Sequence, residues 1–173
     1  MANIDMKALF SLTYGMYIVS TEFEGKLNGQ IANTVMQITA EPICVCTCIN
    51  KANLTTELVE KSGKFSVSVL ELDVPMTFIG QFGFKSGRDI DKFAGVKYRL
   101  AANGTPLIED WSVAALSAKV IKTVEMPSHM LYVGEVEEAV YFKDAPLLTY
   151  SDYHKIKKGK SPKTAPTVGF NTI

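Results

Sequence analysis

Residues 27–49 read LNGQIANTVMQITAEPICVCTCI, and this stretch decides the fold class. Leu27 to Thr39 is rich in β-formers and reads as one long extended segment that starts at the turn dipeptide Asn28-Gly29. Ile43 to Ile49 is a second, compact β run. Just upstream, Tyr14 to Thr21 (YGMYIVST) carries the same composition, so the reading is of successive antiparallel strands.

Working outward, the period changes. Asn53 to Lys61 (NLTTELVEK) has helical spacing, with Leu54, Leu58 and Val59 on one side and Gly63 as a stop signal. Phe65 to Leu70 (FSVSVL) returns to strict alternation. Val74 to Phe82 reads as a short helix with Pro75 in its first turn, and Gly83 to Gly95 as a surface loop rich in Gly and charge. Strands resume at Ser112–Thr123 and Leu131–Phe142, and Leu147–Tyr150 is a short closing strand. At the N-terminus, IDMKALFSL predicts one or two helical turns capped by Asn3 or Asp5. Many strands with a few short helices in a chain of 173 residues favour a mainly β fold closed into a barrel. The strand–helix alternation of a doubly wound sheet is absent, as are GxGxxG and GxxxxGK[ST].

One domain is expected from this length, spanning residues 1–153, followed by a basic tail over 154–173. The 18 Lys+Arg and 18 Asp+Glu cancel, which argues against nucleic acid or an anionic membrane as a partner. The cancellation is not uniform along the chain, however. Residues 154–163 (HKIKKGKSPK) hold five lysines and no acid, a composition that suits a solvated tail, a phosphate-bearing ligand or an acidic partner. No run reaches the roughly 18 apolar residues of a membrane span. The spacing Cys44-Val45-Cys46-Thr47-Cys48 is neither a disulfide framework nor a CxxC site, and a reducing cytoplasm fits it. Alternate strand residues lie roughly 7 Å apart, so core packing is preferred over metal chelation for these thiols. His129 and His154 lack metal-binding spacing, and no metal site is expected.

Two segments carry candidate chemistry. Ala32-Asn33-Thr34 lies in a strand, and Ile49-Asn50-Lys51-Ala52-Asn53-Leu54-Thr55-Thr56 lies where a strand meets a helix. Small side chains let a planar ligand approach the backbone. A helix N-terminus with Lys and Thr nearby supplies the N–H donors, hydroxyls and positive charge a phosphate requires. The competing account is that these Asn and Thr residues are simple helix caps.

The order and spacing of several segments resemble the flavin-reductase-like, FMN-binding split-barrel family. They include Tyr14-Gly15-Met16-Tyr17-Ile18-Val19, Asn28 to Thr34, Glu41-Pro42, Asn50-Lys51 with Thr55 to Leu58, Phe65 to Leu70, Asp91 to Gly95 and His129 to Val136. Within the family, Phe82 to Asp89 and the Pro162-Lys163-Thr164-Ala165-Pro166 stretch resemble the flavoredoxin-like flavin domain of high-molecular-weight rubredoxins. No pair of CxxC iron ligands follows, so a rubredoxin partner would be separate or absent.

The resemblance implies a split β-barrel, a homodimer and FMN as cofactor. It implies NAD(P)H as donor, with a rubredoxin or flavodiiron-type redox protein as a further partner. Ile31, Ala32, Asn33, Thr34 and Val35 would approach the flavin ring, while Asn50, Lys51, Thr55 and Thr56 would hold the ribityl chain and phosphate. Phe82 and the loop from Ser86 to Arg88 would close over the ring, and His129 would sit near the nicotinamide or flavin edge as the catalytic side chain. For His129 a hydrogen-bonded strand histidine is the alternative, and for Arg88 a surface ion pair with Asp89 or Asp91. Three functions follow from the resemblance: an NAD(P)H-dependent flavin reductase, a flavoredoxin-like electron carrier, and a non-redox FMN-binding module.

Overall fold

The computed structural model describes residues 4–167. Its centre is one antiparallel sheet in the order β2-β1-β5-β8-β9-β4-β3. The strands are β1 (Tyr17–Phe23), β2 (Lys26–Ala32), β3 (Val35–Ala40), β4 (Ile43–Asn50), β5 (Lys64–Leu70), β8 (Ser112–Glu125) and β9 (His129–Tyr141). A small hairpin, β6 (Tyr98–Leu100) with β7 (Pro106–Ile108), forms a separate two-stranded sheet that packs on the first, with Pro106 and Ile108 bonded to Ser66 and Ser68 of β5. Among the described residues four helices decorate it: α1 (Met6–Phe10), α2 (Leu54–Ser62), α3 (Met76–Gly83) and α4 (Tyr150–Lys155). The architecture is mainly β with a few short helices, as the sequence pattern implies.

The expected long strand from Leu27 to Thr39 is two strands. β2 and β3 lie at opposite edges of the sheet, yet only Asn33 and Thr34 separate them. Two residues reach about 7 Å, so the edges must face one another at this point and the sheet curls shut. The Thr34 hydroxyl donates to the Cys48 carbonyl at 2.6 Å, and the Cys48 N–H donates to the Thr34 carbonyl at 3.2 Å, which pins the crossing to β4.

Asn28-Gly29 is not a turn either. The β1–β2 turn is Glu24-Gly25, with φ of 50° and 80°, and the Gly25 N–H donates to the Glu22 carboxylate at 2.7 Å. Those paired positive φ values are what a two-residue hairpin demands. Gly29 sits inside β2, opposite Ser20, whose hydroxyl lies 2.5 Å from where a β-carbon would stand.

α2 ends where the pattern predicts, at Gly63 with φ 66°. Asp5 caps α1 through the Lys7 N–H, while Asn3, the other expected cap, lies outside the described residues. The expected closing strand 147–150 reduces to single bridges, Glu71 with Leu147 and Gly15 with Thr149, and Tyr150 opens α4.

Pleating divides most of the core into two clusters, with a small third one of Ala101, Leu107 and Ala115 under the β6–β7 hairpin. Val19, Val45, Phe65, Val67, Ala118 and Tyr132 fill the barrel with Val59 of α2 over them, while Ile18 faces a second cluster with Ile79 and Phe82 of α3 and Leu148. Cys44 and Cys46 are buried and their thiols free. The loop after α3 departs from the surface expectation, because Lys92 and Phe93 are both buried. The boundary expected at 153/154 falls inside α4, and beyond it residues 159–167 turn back onto the body.

Candidate functional site

The crossing at Asn33-Thr34 opens a cavity of about 400 Å³ between the two sheet edges, α2, α3 and α4. Its lower wall is β2, which presents Asn28 and Gln30, and its far end is the first turn of α2. The Asn28 side-chain N–H donates to the Thr55 hydroxyl at 2.8 Å, but its carbonyl oxygen is buried without a partner among the described residues. The side-chain oxygen of Gln30 is in the same condition. A buried acceptor left unpaired costs desolvation energy, so two of them on one cavity wall mark a surface that expects donors from a ligand.

The other end is built for an anion. The Asn53 side chain makes no capping bond to α2, so the first-turn N–H groups are left uncapped by it. Ser86, Arg88 and Lys85 approach the same end from the loop after α3. Gly87 permits that close approach, since a β-carbon there would collide with the Asn28 side-chain oxygen. Arg88 reaches Glu57 at 2.9 Å, which with Lys61 holds that carboxyl below the usual range. Arg88 therefore pairs with Glu57 of α2 rather than with Asp89 or Asp91.

Under the floor lies Lys92, whose ammonium donates to the carbonyls of Gly29 at 2.9 Å and Phe82 at 3.0 Å. It tethers the last turn of α3 to β2. Burial pushes its pKa down from the usual lysine value to about 8. Tyr150 and Tyr153 of α4 close one side of the cavity, and Lys160 to Pro166 cover the top.

Nine of the thirteen expected site residues line the cavity together: Ile31, Ala32, Asn33, Thr34, Asn50, Thr55, Phe82, Ser86 and Arg88. The other four stand elsewhere. Val35 packs against the barrel core. Lys51 turns away to pair with Glu125, and the Thr56 hydroxyl is used by the Asn50 carbonyl at 2.6 Å. His129 is buried beside Asn50 on the neighbouring strand, with Nδ1 against the Ser128 hydroxyl at 2.8 Å and Nε2 against the Thr164 carbonyl at 3.2 Å. A carbonyl can only accept, so Nε2 carries the proton and Nδ1 accepts from Ser128. Sequence reasoning missed Asn28, Gln30, Lys92 and both tyrosines. Asn28-Gly29 was legible as polar and tight but reads as a turn, and Lys92 sits in a segment (DKFAG) with the composition of a surface loop.

An open-ended cavity at the closure of a small antiparallel barrel, apolar at one end and anion-ready at the other, defines a class of flavin-binding proteins. The chain belongs to that class: residues 9–157 match the model of the flavin reductase like domain. It is 48% identical over 169 residues to a ferric-chelate reductase (NAD(P)H) of Archaeoglobus fulgidus, covering 98% of this chain and 99% of that protein. It is 46% identical over 164 residues to a high molecular weight rubredoxin of Moorella thermoacetica, covering 95% of this chain and 72% of that one. Among solved structures, flavoredoxin from Methanosarcina acetivorans superposes with a TM-score of 0.73 over 83% of this chain and 76% of that chain. At 23% identity this likeness concerns the fold alone.

Proposed function

We propose that this chain is an FMN-dependent NAD(P)H reductase that passes electrons through its flavin to an acceptor. The observation that carries the reading is the polarity of the cavity. Unpaired acceptors on Asn28 and Gln30 suit the imide N–H and ribityl hydroxyls of a flavin. The first turn of α2, with Thr55, Ser86 and Arg88, suits a phosphate. A volume of about 400 Å³ lies at the small end of ligand sites, which run roughly 300–1,000 Å³, and favours FMN over a dinucleotide.

Bound here, FMN supplies the two-electron chemistry the side chains lack, between a pyridine nucleotide and an acceptor. The residues do the rest. Ile31, Ala32 and Phe82 exclude water from the ring end, the Lys92 cation under the floor favours negative charge above it, and Arg88 fixes the phosphate. His129, outside the cavity lining, gives its Nε2–H to the Thr164 carbonyl of the segment that covers the top.

The acceptor we favour is a ferric chelate or a separate redox protein of rubredoxin or flavodiiron type. The printed names of the Archaeoglobus and Moorella relatives support these two choices. We further propose a homodimer, supported by exposed apolar side chains on adjacent outer strands, Met36 and Ile38 of β3 and Ile43 of β4. The free, largely buried cysteines support a cytoplasmic location.

The test is an anaerobic visible spectrum of the purified protein loaded with FMN, then with FAD, before and after NADH or NADPH. Rapid bleaching of bound FMN supports the reductase. A flavin that binds but stays oxidised points instead to a carrier fed by a protein donor, and absence of flavin affinity overturns the reading.

A further inference from the structure

The segment beyond α4 has the composition of a solvated tail, yet it forms the roof of the cavity. Its backbone lies flat on α4: a β-carbon at Gly159 would collide with the Tyr153 ring. Tyr153 donates its hydroxyl to the Lys160 carbonyl at 2.8 Å, and His154 Nδ1 meets the Gly159 carbonyl at 2.9 Å. The Ser161 and Tyr150 hydroxyls are in contact, and Thr167 joins Tyr150 to the Asn33 side chain at 2.9 Å on each side. The Thr164 carbonyl accepts from Nε2 of His129.

Two features of these ties matter. Apart from the Gly159 N–H, which donates to the Tyr153 carbonyl at 2.9 Å, they pass through side chains of the body, with no sheet ladder, so each contributes modestly and the segment can leave without unravelling a strand. They also occupy Asn33, which lines the cavity, and His129, which does not line it but is reached through the Thr164 carbonyl. With the segment docked, Lys160 to Pro166 line the top of the cavity and cover the side from which a second ring would have to enter.

We propose that residues 159–167 are the specificity-determining wall of this redox site: docked they admit flavin alone, and the nicotinamide ring of the hydride donor enters in their place. This proposal rests on the reductase reading. It makes the wall a competitor of the donor, so the apparent donor affinity equals the intrinsic affinity scaled by the fraction of molecules with the wall displaced.

The experiment uses the full chain loaded with FMN. Gly159→Ala drives a methyl group into the buried Tyr153 ring, and Ser161→Ala removes the contact with Tyr150. Both loosen the wall without touching Asn33 or His129. Stopped-flow reduction by NADH and NADPH should give a KM for the donor several-fold lower in each variant than in the wild type. In the wild type, saturating NAD+ or NADP+ should speed tryptic cleavage after Lys160 and Lys163 several-fold. A KM that stays or rises in both variants, or cleavage that is unchanged or slowed by the nucleotide, overturns the wall while leaving the reductase intact. A wild-type protein that takes up no FMN removes the reductase and the wall together.

Discussion

Replacing Lys92 with Met changes how stability responds to pH, and the size of the change follows from where the ammonium sits. In the folded protein its pKa is about 8, because burial disfavours the charge, whereas in the unfolded chain it returns to the ordinary 10.5. Between those values the unfolded chain binds more protons than the folded one, so stability rises with pH across that window. Below about pH 8 both states are protonated and the folded protein bears the full cost of the buried charge. A tenfold change in a proton-binding constant corresponds to about 1.36 kcal/mol, so the whole effect is about 3 kcal/mol, of which about 2 kcal/mol emerges between pH 7 and pH 9.5.

Met fills the same space, cannot titrate, and leaves the Gly29 and Phe82 carbonyls without their donor at every pH. That loss is a constant offset. The difference in unfolding free energy, wild type minus Lys92→Met, should therefore grow by about 2 kcal/mol from pH 7 to pH 9.5, or about 4–8 °C in Tm for a chain of this size. Urea unfolding of the two proteins in matched buffers measures it, and the tyrosines and cysteines, common to both, cancel in the difference. A flat difference refutes the buried-cation account. With FMN bound, the same substitution should reduce the preference for reduced over oxidised flavin, read as a lower reduction potential.

Other substitutions separate the ends of the cavity. Arg88→Ala should lower FMN affinity about tenfold by fluorescence titration while leaving Tm unmoved, because its pair with Glu57 is exposed. Gly87→Ala forces a methyl group onto the Asn28 oxygen, and unfolding should show a loss of about 1–3 kcal/mol together with weaker FMN binding. Lys51→Ala should leave FMN affinity within twofold of wild type, since its ammonium faces Glu125, and a large loss would return Lys51 to the phosphate site. Cys44 and Cys46 should react with a thiol reagent only as the protein unfolds, measured by the rate of labelling against denaturant.

What the sequence revealed and what it hid divide along one physical line. α2 was readable because Leu54, Leu58, Val59 and Gly63 carry its face and its end within a dozen residues, and β5 because its alternation is local. The break at Asn33-Thr34 was not readable. Both flanks have the same β preference, and the chain divides there only because the two edges of a seven-stranded sheet meet, a fact held by residues far away in the chain. Lys92 was hidden for the same reason: its burial is created by Gly29 and Phe82, not by its neighbours Asp91 and Phe93.

The roof of the cavity shows most directly why composition misleads. The lysines of 154–163 are what a charge count sees, and Lys155, Lys158, Lys160 and Lys163 are exposed, while Lys157 donates to the Val74 carbonyl. The inward side is Gly159, Ser161 and the Thr164 carbonyl, a missing side chain, one hydroxyl and a backbone group, none of which registers as a signal in a sequence. Small and backbone groups are what a close-fitting wall over a planar ligand requires, because larger ones would fill the space the ring needs. A segment can thus carry the charge of a tail and the contacts of an active-site wall at once, and it is the contacts that decide which molecules reach the flavin.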